Sequence, residues 1–140
     1  MTEATNNTVP VPIPRGRILH AEDDRMVSIL TARYLAEKGY QVETAMNGLE
    51  ALTKVLNQPG YYDLIITDQI MPELNGVAWL TTLRKTGYPG KIIVFAAQFS
   101  AEVEAQFRAV GVDSILWKSA DLTPLHDTIE ELLNTSHTAG

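Results

Sequence analysis

The sequence predicts an α/β fold with a five-stranded parallel sheet, because short apolar runs alternate with helical patterns along most of the chain. Five such strand–helix cycles can be counted, with no internal repeat and no linker between them. The strands are expected near Arg17–Ala21, Gln41–Ala45, Tyr62–Thr67, Lys91–Ala96 and Asp113–Trp117. Five cycles favour a doubly wound sheet of order 2-1-3-4-5, with five helices on its two faces.

Each predicted helix has an apolar stripe and a recognisable end. The first is expected from about Arg25 to Lys38, with Asp24 as N-cap and Gly39 as the left-handed stop. Its inward stripe is expected to contain Val27, Leu30, Tyr34 and Leu35. The others are expected at about Gly48–Leu56, Val77–Lys85, Ser100 (as N-cap) to Val110, and after Asp121 with Pro124 in the first turn.

The chain has 140 residues, 45% of them hydrophobic, which is enough for one domain, expected at residues 16–134. Residues 1–15 are polar and then alternate proline with apolar residues, so we expect an extended, disordered tail there. Residues 135–140 are small and polar and are expected to form a second disordered tail. Met1 and the two polar tails suggest a natural length without an output domain.

Composition argues against several classes of function. The absence of cysteine removes disulfides and thiolate metal sites and fits a reducing cytoplasm. A formal net charge of −6, with no stripe of lysine and arginine, disfavours direct binding to nucleic acid. No apolar stretch is long enough to span a membrane, and no secretory signal precedes the domain. A cytoplasmic protein is therefore expected.

Charged residues follow three of the predicted strands. Asp68 follows the third strand, the acidic run Glu22-Asp23-Asp24 follows the first, and Lys118 follows the fifth. The carboxyl ends of parallel strands meet at one edge, and the flavodoxin-like order 2-1-3-4-5 places its switch point between the first and third strands. These groups are therefore expected to line one pocket suited to a divalent cation and a phosphoryl group.

The ordered set of residues resembles the receiver domain of two-component response regulators over roughly Arg17 to Leu133. The acidic pair Glu22-Asp23, the segment from Asp68 through Met71-Pro72 to Gly76, and Lys118 match that family's motifs. Each motif alone is weak, whereas the whole set on five strand–helix cycles is specific.

The resemblance implies a role for each site residue. Asp68 would accept a phosphoryl group from a phosphohistidine on a sensor histidine kinase or histidine phosphotransfer protein, or from a small phosphodonor. Mg²⁺ would be bound by Asp23, Asp68 and the Ile70 carbonyl, with Glu22 acting through water. Lys118 would supply a positive charge to a phosphoryl oxygen. Such a protein assists its own phosphorylation and dephosphorylation but is not a turnover enzyme, and its downstream partner is unknown.

Three positions depart from the family pattern. Ala96 replaces the Thr or Ser expected at the end of the fourth strand, and Ile115 replaces an aromatic residue in the fifth. Ser119 follows Lys118 where the family prefers proline, and a cis bond before serine would cost about 3–4 kcal/mol. Phosphoryl chemistry is still expected, but the usual coupling between hydroxyl and aromatic switch is expected to be absent.

Three functions remain open from the sequence. The first is a stand-alone receiver phosphorylated on Asp68, and the second is a phosphorylation-independent interaction module with a degenerate switch. The third, an aspartate-nucleophile phosphatase, would need an acid at the position of Ile70 and is the least supported.

Further residues carry smaller predictions. His20 is expected to be a buried, hydrogen-bonded structural histidine, and Trp79 and Trp117 are expected to be packing residues. Met26 and Ile29 lie off the predicted inward stripe of the first helix and are expected to mark a partner surface. Ile70 and Gln98 are expected to border the water that attacks a phosphoryl group, and to give it a moderately long lifetime.

Overall fold

The computed structural model describes residues 13–138, and it describes side chains for residues 13–134. Residues 1–12, which include most of the predicted proline-rich tail, and residues 139–140 lie outside the described part of the chain. No helix in residues 13–138 is long and apolar enough to span a membrane.

The five strands form one parallel sheet of order β2-β1-β3-β4-β5, which confirms the predicted fold class. The strand bounds are β1 Arg17–Ala21, β2 Gln41–Ala45, β3 Leu64–Thr67, β4 Lys91–Ala96 and β5 Ser114–Trp117. In the central pair, Ala21 of β1 lies opposite Thr67 of β3, so these two strands end side by side. This arrangement places the residues that follow β1 and β3 next to each other.

Five helices connect and follow the strands: α1 Arg25–Glu37, α2 Gly48–Asn57, α3 Gly76–Lys85, α4 Ala101–Val110 and α5 Thr123–Thr138. The first four begin where a side-chain oxygen accepts a hydrogen bond from the third following backbone N–H; these N-caps are Asp24, Asn47, Asn75 and Ser100. Helix α5 continues through Thr138, past residue 134, where the domain was expected to end.

Each face of the sheet has its own apolar core. The larger core lies under α2, α3 and α4 and includes Leu19, Ile65, Trp79, Val94 and Phe107. The smaller core lies under α1 and α5 and includes Ile18, Ile66, Phe95 and Ile129. Alternation along each strand sends neighbouring residues to opposite faces, as expected for a sheet covered on both sides.

The predicted inward face of α1 was partly wrong. Leu35 is fully buried, but Leu30 is 51% exposed, and the other buried residues of this helix are Ser28 and Thr31. Residues 28, 31 and 35 share one side of a helix at the spacing of three and four. The small hydroxyl side chains are compact enough to pack against the sheet. A prediction based on the spacing of apolar residues does not include them, because they are polar.

Two of the smaller predictions were also wrong in part. His20 is fully buried, yet neither ring nitrogen has a hydrogen-bond partner among the described residues. Burial, assisted by the charge of Lys118, lowers the pKa of His20 to about 3, so the ring is neutral at physiological pH. Trp79 is a core residue as predicted, whereas Trp117 is 61% exposed and belongs to neither core.

Candidate functional site

The site lies where the carboxyl ends of β1, β3 and β5 meet, and backbone hydrogen bonds extend the sheet one residue beyond β3 and β5. The amide of Asp68 donates to the Ala21 carbonyl at 3.0 Å, and the amide of Lys118 donates to the Ala96 carbonyl at 2.8 Å. The residues that carry charge therefore follow directly from the paired ends of the strands.

Lys118 lies between two carboxylates. Its Nζ is 2.7 Å from Oδ2 of Asp68 and 2.6 Å from Oε1 of Glu22. The second oxygen of Glu22 accepts from the Asp24 amide at 3.0 Å, and Oδ1 of Asp68 accepts from the Gln69 amide at 2.7 Å. Three of the four carboxylate oxygens of this pair accept hydrogen bonds, whereas Oε1 of Glu22 contacts Lys118 as an ion pair without hydrogen-bond geometry.

Burial shapes the electrostatics of the site. Glu22 is fully buried and Asp68 is only 8% exposed. Burial raises the pKa of Glu22 above its usual value, although Lys118 and the Asp24 amide favour the charged form. Burial alone would lower the pKa of Lys118, but its interactions with Asp68 and Glu22 outweigh burial and raise that pKa. Lys118 therefore remains an ammonium at neutral pH.

The three acids together form a candidate cation site. Glu22, Asp23 and Asp68 each offer an oxygen, and these oxygens all lie within 4.8 Å of one another. Asp23 is exposed, whereas the other two are buried, so the cluster opens to solvent on one side. An all-oxygen set with room for water is what Mg²⁺ prefers. The three carboxylates are therefore suitable ligands for a magnesium ion. Lys118 neutralises part of the negative charge of Glu22 and Asp68.

The loop after Asp68 is held close to the start of α3. The amide of Gly76 donates to the Gln69 carbonyl at 2.8 Å, and Oε1 of Gln69 accepts from the Val77 amide at 2.9 Å. A Cβ at Gly76 would lie 2.5 Å from the Asp68 carbonyl oxygen, so only glycine fits this approach. The indole N–H of Trp79 donates to the Thr67 hydroxyl at 3.0 Å and anchors the strand end from below.

The response regulator receiver domain model matches residues 18–130 of the chain. The chain belongs to the response regulator receiver family. Among its relatives are the response regulator MprA of Mycobacterium leprae, 36% identical over 117 residues, and the transcriptional regulatory protein PcoR of Escherichia coli, 31% identical over 117 residues. Both alignments cover 84% of this chain but only 50% and 51% of the relatives, so the chain spans about half the length of the curated relatives it matches.

Solved structures agree with the family assignment. The receiver domain of Francisella response regulator 1452 matches with a TM-score of 0.77 at 28% identity, covering 86% of this chain and 98% of that chain. The response regulator TrrA of Thermotoga maritima, solved in complex with Mg²⁺ and BeF, matches with a TM-score of 0.74 at 32% identity, covering 84% and 98%. The chain is thus a receiver domain of the kind found in two-component systems.

The structure describes both residues, Ala96 and Ile115, that were expected to occupy the switch positions. Ala96 ends β4, is fully buried, and offers no hydroxyl toward Asp68. Ile115 is partly buried against the larger core. All peptide bonds within residues 13–138 are trans, so the bond between Lys118 and Ser119 is trans as well.

Sequence reasoning missed one pair of aromatic residues beside the site. Phe99, in the loop between β4 and α4, stacks on Trp117 with ring centroids 4.3 Å apart and planes 24° from parallel. A cavity of about 430 Å³ opens next to Phe99 and is also lined by Gln69, Ile70 and Gln98. The only signal in the sequence was that two aromatic residues lie near the ends of neighbouring strands.

A second cavity of the receiver, about 340 Å³, lies between α1 and the loop from β5 to α5. Val27 and Leu30 line it on the helix side, and Lys118 and Leu122 line it on the loop side, with Phe95 from the sheet. This cavity thus extends from Leu30, an exposed apolar residue of α1, to Lys118, which contacts Glu22 and Asp68.

Proposed function

We propose that this receiver accepts a phosphoryl group on Asp68 from a phosphohistidine donor in a two-component or phosphorelay system of the cytoplasm. The observation that carries the proposal is the convergence of Asp68, Lys118 and Glu22 within ion-pair distance at the carboxyl edge of the sheet. Neither acid is placed there for solubility, because both are buried. Burying charged groups is costly, so a buried charge cluster that opens to solvent on one side favours a functional site.

Each residue of the site has a proposed role in phosphoryl transfer. An oxygen of Asp68 attacks phosphorus and forms an O–P bond, while the P–N bond to the donor imidazole breaks and its electron pair passes to that nitrogen. Because the Gln69 amide holds Oδ1, the carboxylate is oriented before the donor arrives. Lys118 exchanges its contact with Asp68 for a phosphoryl oxygen and balances the added negative charge. The product is an acyl phosphate on Asp68.

Asp23, Asp68 and the Ile70 carbonyl would hold Mg²⁺, with Glu22 contacting it through water. The support for this set is the mutual approach of the three carboxylates within 4.8 Å and their all-oxygen chemistry. When bound, the ion neutralises the crowded acids and the incoming phosphoryl oxygens. The chain's own contribution is to fix the acids on strand ends and to keep Lys118 charged.

The donor protein is proposed to dock on α1. Met26 is 63% exposed and Ile29 is 42% exposed, and both lie on the helix that lines the cavity reaching Lys118. Exposed apolar side chains on a helix that lines a cavity next to Lys118 fit a partner that presents an apolar surface around its phosphohistidine. The proposed partner is a sensor histidine kinase or a histidine phosphotransfer protein.

Labelling with a small phosphodonor tests the proposal directly. Incubation with acetyl phosphate and Mg²⁺ should add one phosphoryl group, and Asp68→Asn should abolish the label. Asp24→Asn is the matched control, because asparagine caps a helix as well as aspartate does and Asp24 lies outside the three-acid cluster. Failure to label the wild type would refute the function, and repeated turnover of a phosphorylated substrate would indicate a phosphatase instead.

A second candidate, a module that binds its partner without phosphorylation, is supported by Ala96 and Ile115. Ala96 offers a phosphoryl group no hydrogen bond with which to draw the β4–α4 loop inward. Amide NMR shifts on adding Mg²⁺ with beryllofluoride show whether a change at Asp68 reaches α4 and Ile115. Shifts confined to the loops around Asp68 are expected. Large shifts along α4 and at Ile115 would show that a conventional switch operates despite these substitutions.

A further inference from the structure

The aromatic stack connects two segments that flank the acceptor. Trp117 is the last residue of β5, and the next residue is Lys118, whose Nζ contacts Asp68. Phe99 follows Gln98 in the loop that leaves β4. The stacked rings, 4.3 Å apart, therefore link the strand end that carries the lysine to the loop that walls the neighbouring cavity.

Phe99 is anchored, whereas Trp117 depends on it. Phe99 is partly buried and packs against the larger core, as do Val103 and Ile115. Trp117 is 61% exposed and joins neither core, so one face of its ring meets Phe99 and much of the rest meets solvent. The backbone of Trp117 is paired with Ala96 of β4, and the stack with Phe99 restrains its ring. The stack therefore extends the ordered core to the residue that precedes Lys118.

The position of Lys118, directly after Trp117, explains why a restraint on the end of β5 matters. The Lys118 amide donates to the Ala96 carbonyl just beyond the end of β5, and Ser119 after it is exposed to solvent. The lysine must stay within reach of Asp68 while its flexible stem leaves the sheet. Fixing the strand end on one side of Lys118 limits how far the ammonium can move.

We propose that Phe99 and Trp117 are positioning residues for phosphoryl acceptance, whose stack holds the end of β5 so that Lys118 faces Asp68 and holds Gln98 at the mouth of the adjacent cavity. This inference rests on the proposed function for its chemical readout. The pair acts through Lys118 and Gln98 and touches no phosphoryl oxygen itself. Its strength is that of one offset aromatic pair, which corresponds to about a two- to tenfold effect on a rate or exchange constant.

The experiment compares variants that remove the stack with variants that keep it. Phe99→Leu and Trp117→Leu keep an apolar side chain without an aromatic ring, whereas Phe99→Tyr and Trp117→Phe keep the ring. Leu56→Ala, which truncates an exposed apolar residue near the end of α2, is the control for loss of surface area. Two readouts are measured: the rate of labelling by acetyl phosphate with Mg²⁺, and hydrogen exchange of the Lys118 amide in unphosphorylated protein.

Loss of the stack should slow labelling about two- to tenfold and speed exchange of the Lys118 amide by a similar factor. The ring-retaining variants and Leu56→Ala should match the wild type. The Asp68 amide, bonded to Ala21, should exchange at the wild-type rate in every variant, which separates local positioning from global loss of stability.

The failures are distinguishable. If the wild type is labelled and both leucine variants label and exchange like it, the positioning role is wrong and the proposed function stands. Equal slowing in the ring-retaining variants would likewise overturn a role for stacking. If the wild type is not labelled, the proposed function fails, and amide exchange alone decides whether the stack positions Lys118.

Discussion

The effect of Asp68→Asn on the free energy of unfolding should change sign when Mg²⁺ is added: the variant should be more stable than the wild type without the metal and less stable with it. In the structure, Asp68 has one attractive partner, Lys118 at 2.7 Å, and two repulsive neighbours, Glu22 and Asp23, within 4.8 Å. Asp68→Asn removes all three charge interactions at once and leaves Lys118 paired with Glu22 at 2.6 Å. The outcome without metal depends on which of these terms is larger.

The terms nearly cancel. At an effective dielectric of about 20, the pair at 2.7 Å attracts by about 6 kcal/mol, and each repulsive pair, 4.8 Å apart or closer, repels by about 3.5 kcal/mol or more. Solvent screening reduces the repulsion from exposed Asp23, which brings the sum close to zero. The deciding term is then desolvation, because an amide costs less to bury than a carboxylate that is 8% exposed. Asp68→Asn should therefore be more stable than the wild type by about 1 kcal/mol in EDTA.

Magnesium should invert this order. A ligand that binds only the folded state at 100 times its dissociation constant adds about 2.7 kcal/mol, and the variant has lost a charged ligand. Thermal melts with EDTA and with saturating Mg²⁺ measure both effects, at about 3–5 °C per kcal/mol. Asp24→Asn should shift little in either buffer. If Asp68→Asn melts no higher than the wild type in EDTA, or gains as much from Mg²⁺, the account of the acidic cluster is refuted.

Three further predictions follow from individual side chains. Met26→Ala with Ile29→Ala should slow phosphotransfer from a cognate phosphohistidine protein severalfold and leave labelling by acetyl phosphate unchanged; equal transfer rates would remove α1 from the interface. Ile70→Ala should shorten the lifetime of the label, because this 66% exposed side chain shields the cavity beside the acceptor, and unchanged decay would exclude that role. His20→Leu should stabilise the metal-free protein by about 1–2 kcal/mol at pH 7, since it removes two buried nitrogens without partners. Below pH 6.5, the difference in free energy of unfolding between His20→Leu and the wild type should grow by about 1.4 kcal/mol per pH unit. The reason is that His20 binds a proton in the unfolded wild type, whereas the folded ring, with a pKa of about 3, stays neutral. Parallel curves of stability against pH for His20→Leu and the wild type would contradict this reasoning.

The sequence predicted the sheet and the meeting of its charged residues because both depend on strong local signals. Buried parallel strands are continuous apolar runs, and the carboxyl ends of such strands share one edge whatever the details of packing. Asp68, Glu22 and Lys118 follow these runs directly, so their convergence needed only the strand order. The N-caps Asp24 and Ser100 were found for the same reason, since capping is set within a few residues.

The failures concern contacts that no local pattern specifies. The phase of α1 depends on how closely the helix approaches the sheet, and Ser28 and Thr31 pack there although they count as polar. The state of His20 depends on which groups surround its ring, and an apolar strand does not reveal whether a partner is present. Trp117, at the end of β5, stacks on Phe99, which follows β4 and is distant in sequence. Such pairings follow from tertiary geometry, which periodicity does not encode.

In the proposed function, phosphoryl acceptance and its readout depend on different groups. The proposed acceptance depends on groups at the ends of β1, β3 and β5, where Lys118 is ion-paired with Glu22 and Asp68. The usual readout requires a free-energy difference between two positions of the β4–α4 loop, and a charge-assisted hydrogen bond from a hydroxyl would supply about 1.5–3 kcal/mol of it. Ala96 supplies none, and the proposed role of the Phe99–Trp117 stack is to restrain the same loop. A partner of this receiver is therefore expected to recognise the phosphorylated pocket itself, because the distant face of α4 has little reason to change.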